Sequence, residues 1–98
     1  RSPALAEARL LALTARIRAA YARWEAGRRP VSIHEPVLKL ARERSAAALA
    51  SYGAGGELRP WLDARRDEAT AHRAHAQHLA GLGRAWVELA FLFEETTP

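Results

Sequence analysis

Three histidines, His72, His75 and His78, are the side chains in this sequence most suited to metal chemistry. A spacing of three residues places neighbours on one helix surface, and imidazole is the commonest metal ligand in proteins. Three histidines at successive i+3 steps nevertheless fan around a helix by roughly 120°, so they do not converge on one ion. The chain has no cysteine, which excludes thiolate sites and disulfides. We therefore predict no metal and no cofactor, and we expect His72 and His75 to act as polar contacts.

Arg66 and His72 form a second candidate, because their spacing resembles the Arg-x(4–6)-His motif of the all-helical HEPN ribonucleases. In that family, the Arg and His act on the scissile phosphate. Arg73 and His78 fit the same short motif. No set of nucleophile, base and orienting group is apparent elsewhere, so we expect no enzyme activity and keep a HEPN-like ribonuclease as an alternative.

Glu88 interrupts the apolar run of residues 85–93. A carboxylate buried without a partner is costly, so Glu88 is expected to be exposed, protonated or paired with an Arg or His. A polar group inside an aromatic cavity often orients a ligand. Glu88 is therefore a candidate ligand contact.

Aromatic residues are spread along the whole chain, and three of the seven are tryptophans. Trp and Tyr favour sites with one apolar and one wet end. The stretch 64–77 is poor in large apolar side chains that could fill a core. An aromatic-lined cleft is therefore predicted, with walls formed by Tyr52, Trp61, Trp86 and Phe91.

The elements that must position these side chains are helices, because the sequence is rich in Ala, Leu, Arg and Glu and poor in β-branched residues. We predict helices over about residues 3–26, 32–51, 58–79 and 82–95. Breaks are expected at Gly27 to Pro30, at Tyr52 to Gly56 and at Gly81, and Ser32 to Glu35 is typical of a capping box. A chain of 98 residues suffices for one modest core. The prediction is a single all-α domain, 1–98, forming a small globin-like or four- to five-helix bundle.

Charge is unevenly distributed along the chain, whose net charge is +4. Residues 1–50 carry ten basic and four acidic side chains, whereas residues 51–98 carry five and seven. Nucleic-acid binders usually concentrate basic charge more than this, so we favour solvated helix faces. The longest apolar run is far short of the roughly 20 residues that span a bilayer. No membrane association is predicted, and the lack of cysteine is consistent with a cytoplasmic protein.

Most of the chain, from Leu13 to Ala90, resembles the antibiotic-recognition domain of TipA-type proteins, the effector domains of MerR-type regulators. The resemblance is carried by an ordered series of short segments: Gly27-Arg28-Arg29-Pro30, Leu40-Ala41-Arg42-Glu43-Arg44, Ser51-Tyr52-Gly53-Ala54-Gly55-Gly56-Glu57-Leu58 and Ala80-Gly81-Leu82-Gly83-Arg84-Ala85-Trp86. It implies a globin-like helical fold that encloses a deep hydrophobic cleft for bulky natural products. Some members capture their ligand through a cysteine. This chain has none, so the binding implied here is non-covalent.

The predicted function is therefore non-covalent binding of a hydrophobic, aromatic, antibiotic-like molecule, for a transcriptional response or for sequestration. The residues predicted to bind the ligand are Tyr52, Trp61, His72, His75, Trp86, Glu88 and Phe91. The expected partners are that small molecule, a second copy in a homodimer, or a DNA-binding domain fused outside this chain. The lack of an initial methionine leads us to expect such a neighbouring domain. The main alternative is a helical protein-interaction or adaptor module.

Overall fold

Two long helices make up the computed structural model, which describes residues 2–96. Helix α1 spans Pro3–Gly53 and helix α2 spans Leu58–Glu95, with no strand among the described residues. The prediction of an all-α protein is confirmed. The prediction of a globin-like or four- to five-helix bundle is wrong, because α1 continues through the expected break at residues 27–30 and α2 continues through Gly81.

The helices continue because their inward-facing positions follow one spacing throughout. Along α1, buried or half-buried residues recur every three or four positions, at 13, 17, 20, 24, 27, 31, 34, 38, 41, 45 and 48. Along α2 the same alternation gives 61, 64, 68, 71, 75, 78, 82, 85, 89 and 92. This is the heptad spacing of a helix that packs against a partner helix. We call these positions the seam.

Packing along the seam outweighs the local helix breakers in α1. Pro30 and Pro36 both lie inside the helix. Each removes one backbone hydrogen bond, at a cost of about 3 kcal/mol. Gly27 adds about 1 kcal/mol relative to alanine. The expected capping box at Ser32 to Glu35 does not form, since those residues already belong to the middle of α1.

The turn between the helices lies where the glycines predict it. The N–H of Gly56 donates to the carbonyl of Ser51 at 2.9 Å, and the N–H of Gly55 donates to that of Tyr52 at 3.0 Å. These two bonds form a Schellman motif, which satisfies free carbonyls at a helix end. Gly55 has φ of +96°, and a Cβ on Gly56 would lie 2.7 Å from the Ser51 carbonyl oxygen. Both positions therefore require glycine.

The described chain forms two compact units, each made of one stretch of α1 and one stretch of α2. Unit 1 comprises residues 2–29 and 80–96, and unit 2 comprises Pro30–Leu79. Unit 1 has a small apolar core in which Ala20, Leu89 and Leu92 are buried, with Leu13, Ile17 and Trp24 packed against them. In unit 2 the buried residues are Val31, Leu38 and Ser45.

Paired side chains in unit 1 show that its two helical stretches run antiparallel. Arg16 lies 3.5 Å from Glu95, and Arg23 pairs with Glu88. Seven residues forward in α1 therefore correspond to seven residues back in α2. All four side chains are exposed, and exposed ion pairs contribute little stability. These ion pairs therefore indicate the register of the two helical stretches but contribute little to its stability.

Candidate interaction site

Unit 2 contains four of the seven residues predicted to bind a ligand. These are Tyr52, Trp61, His72 and His75, whereas Trp86, Glu88 and Phe91 belong to unit 1. The aromatic rings of Tyr52 and Trp61 stack with centroids 5.9 Å apart and planes 10° apart. The stack closes the seam next to the turn, so one face of each ring is already occupied. The indole Nε1 of Trp61 is buried and has no hydrogen-bond partner.

The histidines divide between the surface and the seam. His72 is exposed, and its Nε2 lies 3.4 Å from Nη2 of Arg42. His75 lies in the seam, where its Nδ1 is buried without a partner. His78 also lies in the seam and faces His34, with ring centroids 4.5 Å apart. The Nδ1 of His34 is likewise buried and unpartnered.

His34 is not among the residues predicted to bind a ligand. A signal for it exists, because His34 continues the spacing of Val31, Leu38 and Ala41, but the expected helix start at Ser32 hid that pattern. Within residues 2–96, no group of three His, Cys, Asp or Glu side chains is arranged to hold a metal ion.

In unit 1, the predicted ligand contacts point to different environments. Glu88 meets two of its three expected states, since it is exposed and forms an ion pair with Arg23. Trp86 is 57% exposed and Phe91 is 58% exposed. Neither aromatic side chain is enclosed by the small core of this unit.

One concave feature of unit 2 is a groove that the sequence prediction missed, and we call it the apolar groove. It encloses about 400 Å³. The apolar residues that line it are Val37, Leu40, Ala41, Pro60, Ala64 and Ala71, and its charged residues are Arg44, Asp63 and Asp67. Alanine at three of these positions leaves space between the helices.

A second stripe along α1 supplies one wall of the apolar groove. Ile33, Val37, Leu40 and Arg44 follow each other at steps of four, three and four, beside the seam. The first three are 45–55% exposed. A stripe of large apolar side chains beside an already packed seam is typical of a helix with a second packing partner. This spacing was the available signal for the groove.

The charged side chains of the apolar groove are distinct from those that form ion pairs within residues 2–96. The ion pairs of the described residues are Arg16 with Glu95, Arg23 with Glu88, Arg28 with Glu25 and Arg65 with Glu68. Within residues 2–96, Arg44, Asp63 and Asp67 make no ion pair. The groove thus offers a cation on α1 and two carboxylates on α2.

A second, more polar groove of about 440 Å³ lies beside Trp61. It is lined by Arg42, Ser45, Ala46, Leu49, Trp61, Arg65 and Glu68. Glu68 accepts a hydrogen bond from Arg65 at 3.2 Å. Here an indole and an aliphatic side chain lie beside several charged side chains.

The motif shared with HEPN ribonucleases lies on α2 with Arg66 and His72 both exposed. Six residues of a helix correspond to a rise of about 9 Å and place the two side chains roughly 120° apart around the axis. Within one helix, the two side chains therefore point to different sides.

No protein-family model, no curated protein and no solved structure matches this chain. The resemblance to TipA-type domains thus stays a prediction. Among the described residues, neither helix has a segment long and apolar enough to cross a membrane.

Proposed function

We propose that this chain is a helical protein-interaction module whose apolar groove in unit 2 receives an amphipathic helix. The observation that carries the proposal is the apolar groove itself, with Val37 and Leu40 exposed on its wall. Helix-in-groove recognition uses apolar anchors at i, i+3, i+4 and i+7 that enter such a groove. The unpaired Arg44, Asp63 and Asp67 supply charge at its edge.

The distribution of apolar side chains supports the same proposal. Among residues 2–96, five hydrophobic residues are buried, whereas sixteen large hydrophobic residues are exposed. Contiguous exposed apolar surface marks interaction sites in soluble proteins. Further helices packed on these faces would supply the burial that two helices alone leave incomplete.

The test uses a displayed library of amphipathic helical peptides selected on the intact chain. Enriched peptides should carry apolar residues at helical spacing, and Leu40→Asp should weaken their binding by more than about tenfold, because a carboxylate then enters the apolar contact. Leu79→Asp is the matched control, since Leu79 is 47% exposed against 45% for Leu40 and lines neither of the two grooves. Equal loss in both variants, or no enriched peptide, would refute the proposal.

A second candidate is the small-molecule binding predicted from the sequence, placed at the groove beside Trp61. It is favoured by the buried, unpartnered Nε1 of Trp61, which could donate to a ligand that enters there. In a variant with Trp24→Phe and Trp86→Phe, the fluorescence of Trp61 should shift and saturate when aromatic antibiotics are added. Trp61 fluorescence that stays constant across a broad panel would exclude this candidate.

A further inference from the structure

We infer that the occupant of the apolar groove is unit 2 of a second copy of this chain. This inference rests on the proposed function and names its partner. The reason is the distribution of charge, since a two-fold symmetric interface brings the same surface together twice and must be complementary to itself. The apolar groove meets that condition because it carries unpaired charges of both signs, Arg44 on α1 and Asp63 and Asp67 on α2.

Contacts within unit 2 place Arg44 and Asp67 at the same height along the helices. His34 faces His78. Arg44 lies ten residues after His34 and Asp67 lies eleven residues before His78. In an antiparallel pair these steps bring the two residues to the same level, and both line the apolar groove.

Consider a two-fold axis that runs along the apolar groove, parallel to the helices. The rotation exchanges the two sides of the groove, but each residue stays at the same level along the helix axis. It lays α1 of one copy over α2 of the other. Arg44 of each copy then lies over Asp67 of the other, while Val37 and Leu40 face the alanines of the opposite α2. The interface gains two cross-copy ion pairs around an apolar centre, and the product is four packed helices.

The available surface is large enough for such a dimer. The α1 stretch of unit 2 spans residues 30–53, which is about 36 Å of helix, and two helix diameters of about 10 Å give a face of roughly 700 Å². Stable interfaces bury about 600–1,000 Å² on each partner, and the face falls within this range. A face of this size therefore suffices without a contribution from unit 1.

Charge reversal provides the test, measured by sedimentation velocity on the full chain at concentrations up to about 100 µM. The wild type should dimerise. Arg44→Glu brings two carboxylates together at both cross-copy contacts, and Asp67→Arg brings two guanidinium groups together at both. Each variant alone should therefore dimerise more than about 100-fold more weakly. Mixed in equal amounts, the two variants should form a heterodimer, because both of its contacts join opposite charges. One contact joins the original Arg44 and Asp67, and the other joins the two introduced side chains, an acid and a base.

Two further variants separate the interface from folding. Arg44→Glu combined with Asp67→Arg restores opposite charges at both contacts and should dimerise again. Lys39→Glu makes the same charge change on an exposed α1 residue outside the apolar groove, and it should dimerise like the wild type. Circular dichroism checks that each variant keeps its helix content.

The outcomes distinguish this inference from the proposed function. A monomeric wild type, or a doubly reversed variant that stays monomeric, overturns the second copy as occupant. If selected peptides still bind and Leu40→Asp abolishes that binding, the apolar groove serves a different helix. If the wild type is monomeric and no peptide binds, both proposals fail.

Discussion

Replacing His34 by leucine should stabilise this protein, although it removes a side chain that contacts another histidine. The Nδ1 of His34 is buried and has no hydrogen-bond partner. An unsatisfied buried polar group costs about 1–3 kcal/mol, and leucine has a similar volume and lacks the polar atom. We expect His34→Leu to raise the free energy of unfolding by about 2 kcal/mol, which shifts the melting temperature by on the order of 10 °C in a domain of this size.

The assay is urea unfolding followed by far-UV circular dichroism and by Trp61 fluorescence. Trp24→Phe and Trp86→Phe serve as background substitutions, so that Trp61 alone reports on unit 2. His72→Leu is the matched control, because His72 is exposed and its contact with Arg42 is long, at 3.4 Å. The control should change stability by less than about 0.5 kcal/mol. A His34→Leu protein that is less stable than the wild type, or no more stable than the control, would show that the unpartnered imidazole is not a cost.

Three further substitutions test how the helices are held together. Pro36→Ala should raise the melting temperature by restoring one α1 hydrogen bond, worth up to about 3 kcal/mol; an unchanged melting temperature would mean that the helix has adapted to the proline. In urea unfolding, Gly55→Ala should lower the free energy of unfolding by about 1 kcal/mol, because a φ of +96° disfavours a side chain. The control Gly53→Ala should not destabilise the protein. Equal losses in the two variants would contradict the Schellman geometry. Arg23→Ala should lower the free energy of unfolding by less than about 1 kcal/mol in low salt and not at all in high salt, because the ion pair of Arg23 with Glu88 is exposed. A loss of unfolding free energy that persists in high salt would refute this.

Local signals predicted the ends of the helices and failed in their middle. The start of α1 at Pro3, the turn around Gly55 and the end of α2 at Glu95 agree with the sequence-based expectation. These positions are governed by backbone geometry, which single residues determine. At Gly27 and Pro30 local propensity favoured a break, but the inward-facing positions before and after the break share one spacing. At these residues, packing of the seam outweighs the local preference for a break. That competition is visible only when both helices are considered.

The candidate site was less predictable than the fold. Tyr52 and Trp61 were assigned to one cleft, and they do contact each other, but as a pair that closes the seam. Val37 and Leu40 were not among the residues predicted to bind a ligand. Their importance depends on α2 leaving space next to them, through Ala64 and Ala71. A small residue on one helix indicates a groove only when the residue that faces it on the other helix is known.

The uninterrupted seven-residue spacing sets a rule for the length of this protein. A heptad inserted into α1 within unit 2 shifts every later contact by about 10 Å, so it must be matched by a heptad at the facing position of α2. Insertions of one, two, five or six residues would rotate the later seam positions of one helix by about 100° or more away from the other helix. Natural relatives of this chain should therefore differ in length by paired multiples of seven, with the glycines of the turn kept in place. The same rule allows an engineer to lengthen or shorten the helical pair that carries the apolar groove without redesigning its turn.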